Sequence, residues 1–370
     1  MSSFAPRVLG GRGGDSLPPM DRAAGSRAWP ALAIAAVTFA AFATGLGNGF
    51  VDWDDYGVLR DNPHFRGLGP AQIAWAFDTY HMGHYQPLTW LTFGADFLLW
   101  GMDPFGFHLT SLLLHCLNAA LCFLLIEAIL LRTGGCEGDA SLRLAAAAGA
   151  LLFALHPLRV EVVAWAAIRG HLLASALALG ATLLYVRRGR SSPAALALFG
   201  ASLLAKATAV TLPVVLLVVD HFVLRRTAHE RPVMLLREKA PWLAMVGLFL
   251  LLALSAQAAS GALLGGAGTP HGPGARLLQA AYGLCFYLVK TAWPFGLAAL
   301  YPIDDRLTPP EAVFWLCAAA VLAITAACFA VRGRWPGWLA AWLAYGVLVS
   351  PVLGIAQSGF QIAADRYSYL

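Results

Sequence analysis

Charge is what this chain has least of. Asp, Glu, Lys and Arg make up 12% of its 370 residues, about half the share of a soluble domain. With 59% hydrophobic residues and a mean hydropathy of +0.67, polar surface is too scarce to cover a water-soluble globule of this size. Period-two alternation in segments of about ten residues is missing, which argues against an outer-membrane barrel. CxxC and HExxH pairs are absent. The six cysteines form no disulfide framework: Cys116, Cys122, Cys285, Cys317 and Cys328 sit in apolar segments and Cys136 in a cytoplasmic loop, all as small apolar fillers.

What the chain has is long apolar runs. A span needs about 20 apolar residues to cross roughly 30 Å of hydrocarbon. Ten segments qualify or come near: Pro30–Gly47, Phe107–Leu131, Leu142–His156, Leu172–Val186, Pro193–Ala205, Ala209–Leu224, Pro241–Ser260, Leu277–Leu300, Glu311–Val331 and Trp335–Ile355. In lipid every backbone polar group must be satisfied within its own segment, so the expected fold is an all-α polytopic membrane protein. Residues 1–27, rich in Gly, Pro, Ser and Arg, read as a disordered cytoplasmic tail ahead of a membrane domain over 28–370.

Lys and Arg set the orientation. With the N-terminus cytoplasmic and the spans alternating, 16 of the 25 basic residues fall inside, and the acidic residues favour the outside. The net charge of +5 is then a topology signal and calls for no nucleic acid. Leu277–Leu300 breaks the alternation. Its Lys290 and Trp293-Pro294 predict a re-entrant, interfacial or hairpin path.

Polar residues concentrate between Phe50 and about Phe105, in an expected outer loop. Its Trp and Tyr content and two short amphipathic stretches, Pro70–Phe77 and Thr89–Trp100, predict an ordered cap on the membrane surface. Asp54 and Asp55 open this loop. They read either as a general base with a partner carboxylate, mutual repulsion raising one pKa, or as a helix cap. In a second, shorter loop Glu161 lies near Arg159 and Arg169, as a site residue or as half of an ion pair with one of them. Lys206 lies between two apolar half-segments, functional or snorkelling, and Asp365-Arg366-Tyr367 follows the last span. His81 and His84 lack a carboxylate at ligand spacing, so no metal site is expected there. A carboxylate base beside cations at the lipid–water boundary suits transfer from a lipid-linked phosphate: the base takes the acceptor proton and the cations neutralise the departing phosphate.

In order along the chain stand Phe50-Val51-Asp52-Trp53-Asp54-Asp55, Tyr85-Gln86-Pro87, Trp100-Gly101-Met102-Asp103-Pro104, His156-Pro157-Leu158-Arg159-Val160-Glu161, Lys206-Ala207-Thr208, Lys290-Thr291-Ala292-Trp293-Pro294 and Asp365-Arg366-Tyr367. With these landmarks the chain resembles the GT-C superfamily of polyprenyl-phosphate-dependent glycosyltransferases, above all the transmembrane-and-TPR-containing protein O-mannosyltransferases and their bacterial relatives. The resemblance implies a helical membrane fold and an inverting transfer of a sugar, mannose first, from a polyprenyl-phosphate donor to a protein Ser/Thr or glycan hydroxyl. It implies a non-cytoplasmic active face, in the inner membrane of a bacterium or the endoplasmic reticulum of a eukaryote. Asp54 matches the family's base, Asp55 its neighbouring acid and Glu161 the acid of the second loop. Lys206, Lys290 and Arg366 are the candidates for the carrier phosphate. A divalent cation is an open option, with no ligand set assigned.

Two features depart from the family pattern. His171 stands where an acidic residue is usual. The sequence also stops at Leu370, where members continue into further spans and often tetratricopeptide repeats, so a C-terminally truncated chain is expected. A transporter or flippase, and a ligase or polymerase of lipid-linked glycans, are the competing readings.

Overall fold

The structure, a computed structural model, describes residues 24–134, 140–259, 272–302, 311–354 and 361–369. Residues 1–23 of the expected tail, and Cys136, lie outside them. The described chain is helical, apart from one short antiparallel pair that joins Tyr301–Pro302 (β1) to Gln361–Ala363 (β2).

The helices run in order: α1 Ala24–Phe42, α2 Pro70–Asp78, α3 Pro87–Trp100, α4 Pro104–Thr133, α5 Ala140–Leu155, α6 Val160–Ala164, α7 Gly170–Arg188, α8 Pro193–Ala205, α9 Leu212–Phe222, α10 Pro232–Ala259, α11 Pro273–Ala292, α12 Ala312–Val331 and α13 Pro336–Val349. Proline recurs at their starts, where its missing N–H is one the helix could not have paired and its fixed φ is already helical. Side chains add caps: Asp103 accepts from Phe105 N–H at 3.0 Å, and Ser192 from Ala195 N–H at 3.3 Å.

Five helical segments are long and apolar enough to cross a membrane: Ala28–Gly47, Pro104–Thr133, Ala166–Arg188, Pro232–Ala259 and Ala312–Val331. The bent pair Ala140–Leu155 and Pro157–Ala164 makes up to six. Pro193–Ala205, Leu212–Phe222 and Pro336–Val352 are shorter apolar helices. At 1.5 Å per residue a helix of thirteen residues reaches only about 20 Å, so the count of ten segments includes several that fall short of crossing alone. The protein is an all-α, multi-pass membrane protein. Large apolar side chains point outward from the spans, as with Leu32, Leu251, Leu316 and Leu322, which suits a lipid surround.

Between spans the packing uses small residues, which let backbones approach where no hydrophobic force separates protein from lipid. α7 and α8 meet over Ala178, Ala181 and Ala195, and Ser202 Oγ donates to Ala174 O at 2.8 Å. Residues 277–292 lie in the continuous helix α11, which ends at Ala292, and 293–300 are not helical, so no tight hairpin forms within 277–292. Near its C-terminal end Thr291 O accepts from His156 and Tyr287 OH accepts from Ala364 N–H.

The first long loop is a packed cap. α2 and α3 enclose Phe65, Trp90, Phe93 and Phe107. Gly94 is required there: a Cβ would lie 2.4 Å from Gly67 O and 3.0 Å from Phe65 O. Gly94→Ala is expected to cost about 1–3 kcal/mol, read as a lower Tm in detergent. Gly247→Ala, in open space on α10, should be neutral or stabilising. Equal Tm values for the two variants would refute this packing.

Candidate active site

Three stretches distant in sequence converge at one end of the bundle. At Gly170 a Cβ would meet Thr89 Oγ1 at 3.1 Å, Gln86 Oε1 at 3.2 Å and Ala205 O at 3.3 Å. Thr89 Oγ1 donates to Ala205 O at 2.8 Å. That bond ties the cap to the end of α8, where the chain turns extended at Lys206. Above this junction opens a cavity of about 450 Å³. Asp54, His84, His171, Lys206 and Arg366 supply its ionisable wall, and Phe249, Ala253 and Gln257 of α10 the facing one. The last three are spaced by four, so they share one helix face.

Asp54 owes its place to its neighbour. Asp55 is fully buried, its Oδ2 accepting from Val51 N–H at 3.0 Å and its Oδ1 from Ala167 N–H at 2.7 Å. These bonds latch the first loop to the second, and Trp53 against Trp165, 5.5 Å apart, extends the latch. Asp54 is left at the cavity, where its carboxylate has no hydrogen bond among the described residues. Burial is the main cause that pushes the Asp55 carboxyl above its ordinary value; the Asp54 charge adds least. The two acids therefore differ in kind, and simple mutual repulsion does not describe them.

Glu161 pairs with neither Arg159 nor Arg169. It holds Arg366, accepting from its Nη1 at 2.8 Å and its backbone N–H at 2.6 Å. The Arg366 guanidinium lies 5.9 Å from the Trp165 ring. Arg159 donates to Ser368 O at 2.8 Å. Arg169 is wholly buried against Asp96. The stretch after Asp365 plugs into the bundle: Tyr369 OH meets His115 Nδ1 at 2.6 Å and Asn118 Nδ2 at 3.1 Å. Lys290 does not line the cavity; its Nζ donates to Phe295 O at 2.6 Å and Gly296 O at 2.8 Å.

Electrostatics couple the cavity groups. Burial first, then the Arg366 charge, lowers Lys206 to about 8, against an opposing pull from Asp54. The Lys206 charge is the main cause that drives His84 down to about 3, so its imidazole is neutral. His81, by contrast, is spent on Gly57 O at 2.9 Å. No group of three His, Cys, Asp or Glu able to hold a metal occurs among the described residues, and Asp55 spends both oxygens on backbone amides. The described residues thus supply no all-protein ligand set for a divalent cation.

The sequence offers His84 only as a metal ligand beside His81 and gives no sign of the α10 wall, since nothing in local spacing announces a cavity closed by a helix from far along the chain. A second polar cluster was also missed. At the opposite end Lys239, 1% exposed, bonds Asp220 at 2.8 Å, while Arg226 bridges Asp220, Glu230 and Glu238. In the sequence Arg226 and Lys239 read only as positive charges that set orientation.

With this geometry in view, known proteins give the same direction. The chain is 31% identical over 205 residues, 47% of its length, to the protein O-mannosyl-transferase Tmtc3 of Drosophila melanogaster. It is 32% identical over 188 residues, 48% of its length, to the protein O-mannosyl-transferase TMTC1 of Homo sapiens, and 31% identical over 180 residues to the human TMTC4 of the same description. About half of this chain resembles protein O-mannosyl-transferases. The matched stretches span only 22%, 20% and 24% of those three proteins. No family model matches the chain, and no solved structure matches it significantly.

Proposed function

We propose that the protein is a glycosyltransferase that moves a sugar, mannose first, from a polyprenyl-phosphate donor to a protein Ser/Thr hydroxyl at the non-cytoplasmic membrane face. The observation that carries this reading is the cavity that gathers Asp54, Lys206 and Arg366 from three distant parts of the chain. Its support from outside is the likeness to proteins described as protein O-mannosyl-transferases.

In this reading Asp54, free of hydrogen-bond partners among the described residues, is the general base for the acceptor hydroxyl. Lys206 and Arg366 take the carrier phosphate, as charge-assisted donors. Glu161 positions Arg366 and Asp55 positions Asp54; neither needs to touch substrate. The apolar face of α10 offers the prenyl chain a path from the lipid. Attack on the anomeric carbon opposite the phosphate inverts its configuration. Membranes bearing the protein, given labelled prenyl-phosphate mannose and a Ser/Thr-rich acceptor, test the reading. Transfer at the wild-type rate by Asp54→Asn would refute the assigned base.

A pH dependence follows from Lys206. It is charged below about 8 and neutral above, so the KM for the donor is expected to rise as pH climbs through 8. In Lys206→Arg, whose cation does not titrate in that range, the rise should vanish. A wild-type KM that stays flat across that window would count against Lys206 as a phosphate ligand.

A further inference from the structure

His171 occupies the second position of α7, facing the cavity that holds Asp54, His84, Lys206 and Arg366. It is 6% exposed. A buried polar side chain ordinarily has its hydrogen bonds made for it. His115, elsewhere in the bundle, satisfies that rule with both ring nitrogens, through Tyr369 OH and Ala154 O. The His171 imidazole has no hydrogen bond among the described residues, and the open space beside it is the cavity. Its charged electrostatic neighbours are Lys206 and Arg366, so this corner favours an anionic ligand atom.

We propose that His171 donates a hydrogen bond to the phosphate oxygen that leaves the sugar, and so stabilises the charge that oxygen gains. The proposal rests on the glycosyl-transfer reading and assigns one more residue to it. In the transfer the acceptor oxygen bonds the anomeric carbon, and the acceptor proton passes to Asp54. The bond from that carbon to the phosphate oxygen breaks, its electron pair staying on the phosphate. A phosphodiester with one negative charge thus becomes a monoester with about −1.5 to −2. Arg366 also pairs with Glu161, so its charge is shared when it and Lys206 meet this gain. An N–H donor at His171 supplies a further interaction, and it is worth more to the product and the transition state than to the donor substrate.

The test separates this role from a structural one. Purified wild type, His171→Leu and His171→Gln are compared for transfer, and for binding of farnesyl phosphate and farnesyl-phosphoryl mannose. The expected result for His171→Leu is a fall in kcat of about tenfold to a hundredfold, with farnesyl phosphate weakened more than the mannose donor. His171→Gln, which keeps an N–H of similar reach, should recover most of both. His171→Ala carries the same expectation if leucine prevents folding. Equal loss of affinity for the two prenyl ligands, or farnesyl phosphate affinity unchanged in every variant, would overturn the proposal. The underlying reading fails by a different sign, wild-type transfer by Asp54→Asn, so the two failures are distinguishable.

Discussion

Asp54→Asn should slow transfer by about 10²–10⁴-fold, the usual worth of a positioned general base, while thermal unfolding in detergent stays unchanged. Both halves of this expectation come from the same geometry. The Asp54 carboxylate faces the cavity without a hydrogen bond among the described residues, so an amide of equal size removes basicity and leaves no packing defect. Asp55→Asn should behave oppositely. Its two oxygens accept from Val51 and Ala167 N–H. An amide can replace only one of these acceptors, and a charged hydrogen bond contributes about 1.5–3 kcal/mol. A lower Tm with partial activity is expected, because the latch between the two loops loosens. If Asp54→Asn lowers Tm and Asp55→Asn does not, the assignment of base and latch is reversed.

The largest stability effect is expected at Arg169 and Asp96. Their ion pair is sealed from solvent, at 0% and 5% side-chain exposure. Arg169 also donates to Phe107 O at 2.8 Å and stacks 4.5 Å above the Phe93 ring, and Thr110 donates to Asp96 at 2.7 Å. Breaking such a pair from one side strands a buried charge, at about 3–5 kcal/mol. Arg169→Met and Asp96→Leu should each lower Tm sharply. The double variant should recover part of the loss, since no lone charge is left behind. Additive losses in the double variant would mean that the pair is not coupled in this way.

The partner of Arg169 is not legible in the sequence. Arg159, Glu161 and Arg169 are neighbours in the chain, so a local ion pair is one of the two readings that the sequence offers for Glu161. In the fold, Glu161 reaches Arg366, two hundred residues on, and Arg169 reaches back to Asp96 on the cap. A side chain's neighbours along the chain are known from the sequence; its neighbours across a bundle depend on which helix faces meet, and near-uniformly apolar helices carry little periodic signal to say so. Lys290 shows the same limit. The family resemblance makes it a phosphate candidate, yet its ammonium closes a local turn with Phe295 and Gly296.

The scarcity of charge decided the class of this protein without help from coordinates. With the alternation of a barrel missing, a chain this apolar satisfies its backbone in lipid as helices. The ordered cap followed from its aromatics, and the candidate acids and cations from the cost of placing charge beside an apolar run. The tertiary structure decided which of them share a site. It put Asp54 at the cavity and Asp55 beneath it, brought Lys206 and Arg366 to the same wall, and left Lys290 outside. It added His84, His171 and a face of α10. Those outcomes depend on side-chain packing across distant segments, and local sequence does not encode the distances on which hydrogen bonds and charge coupling depend.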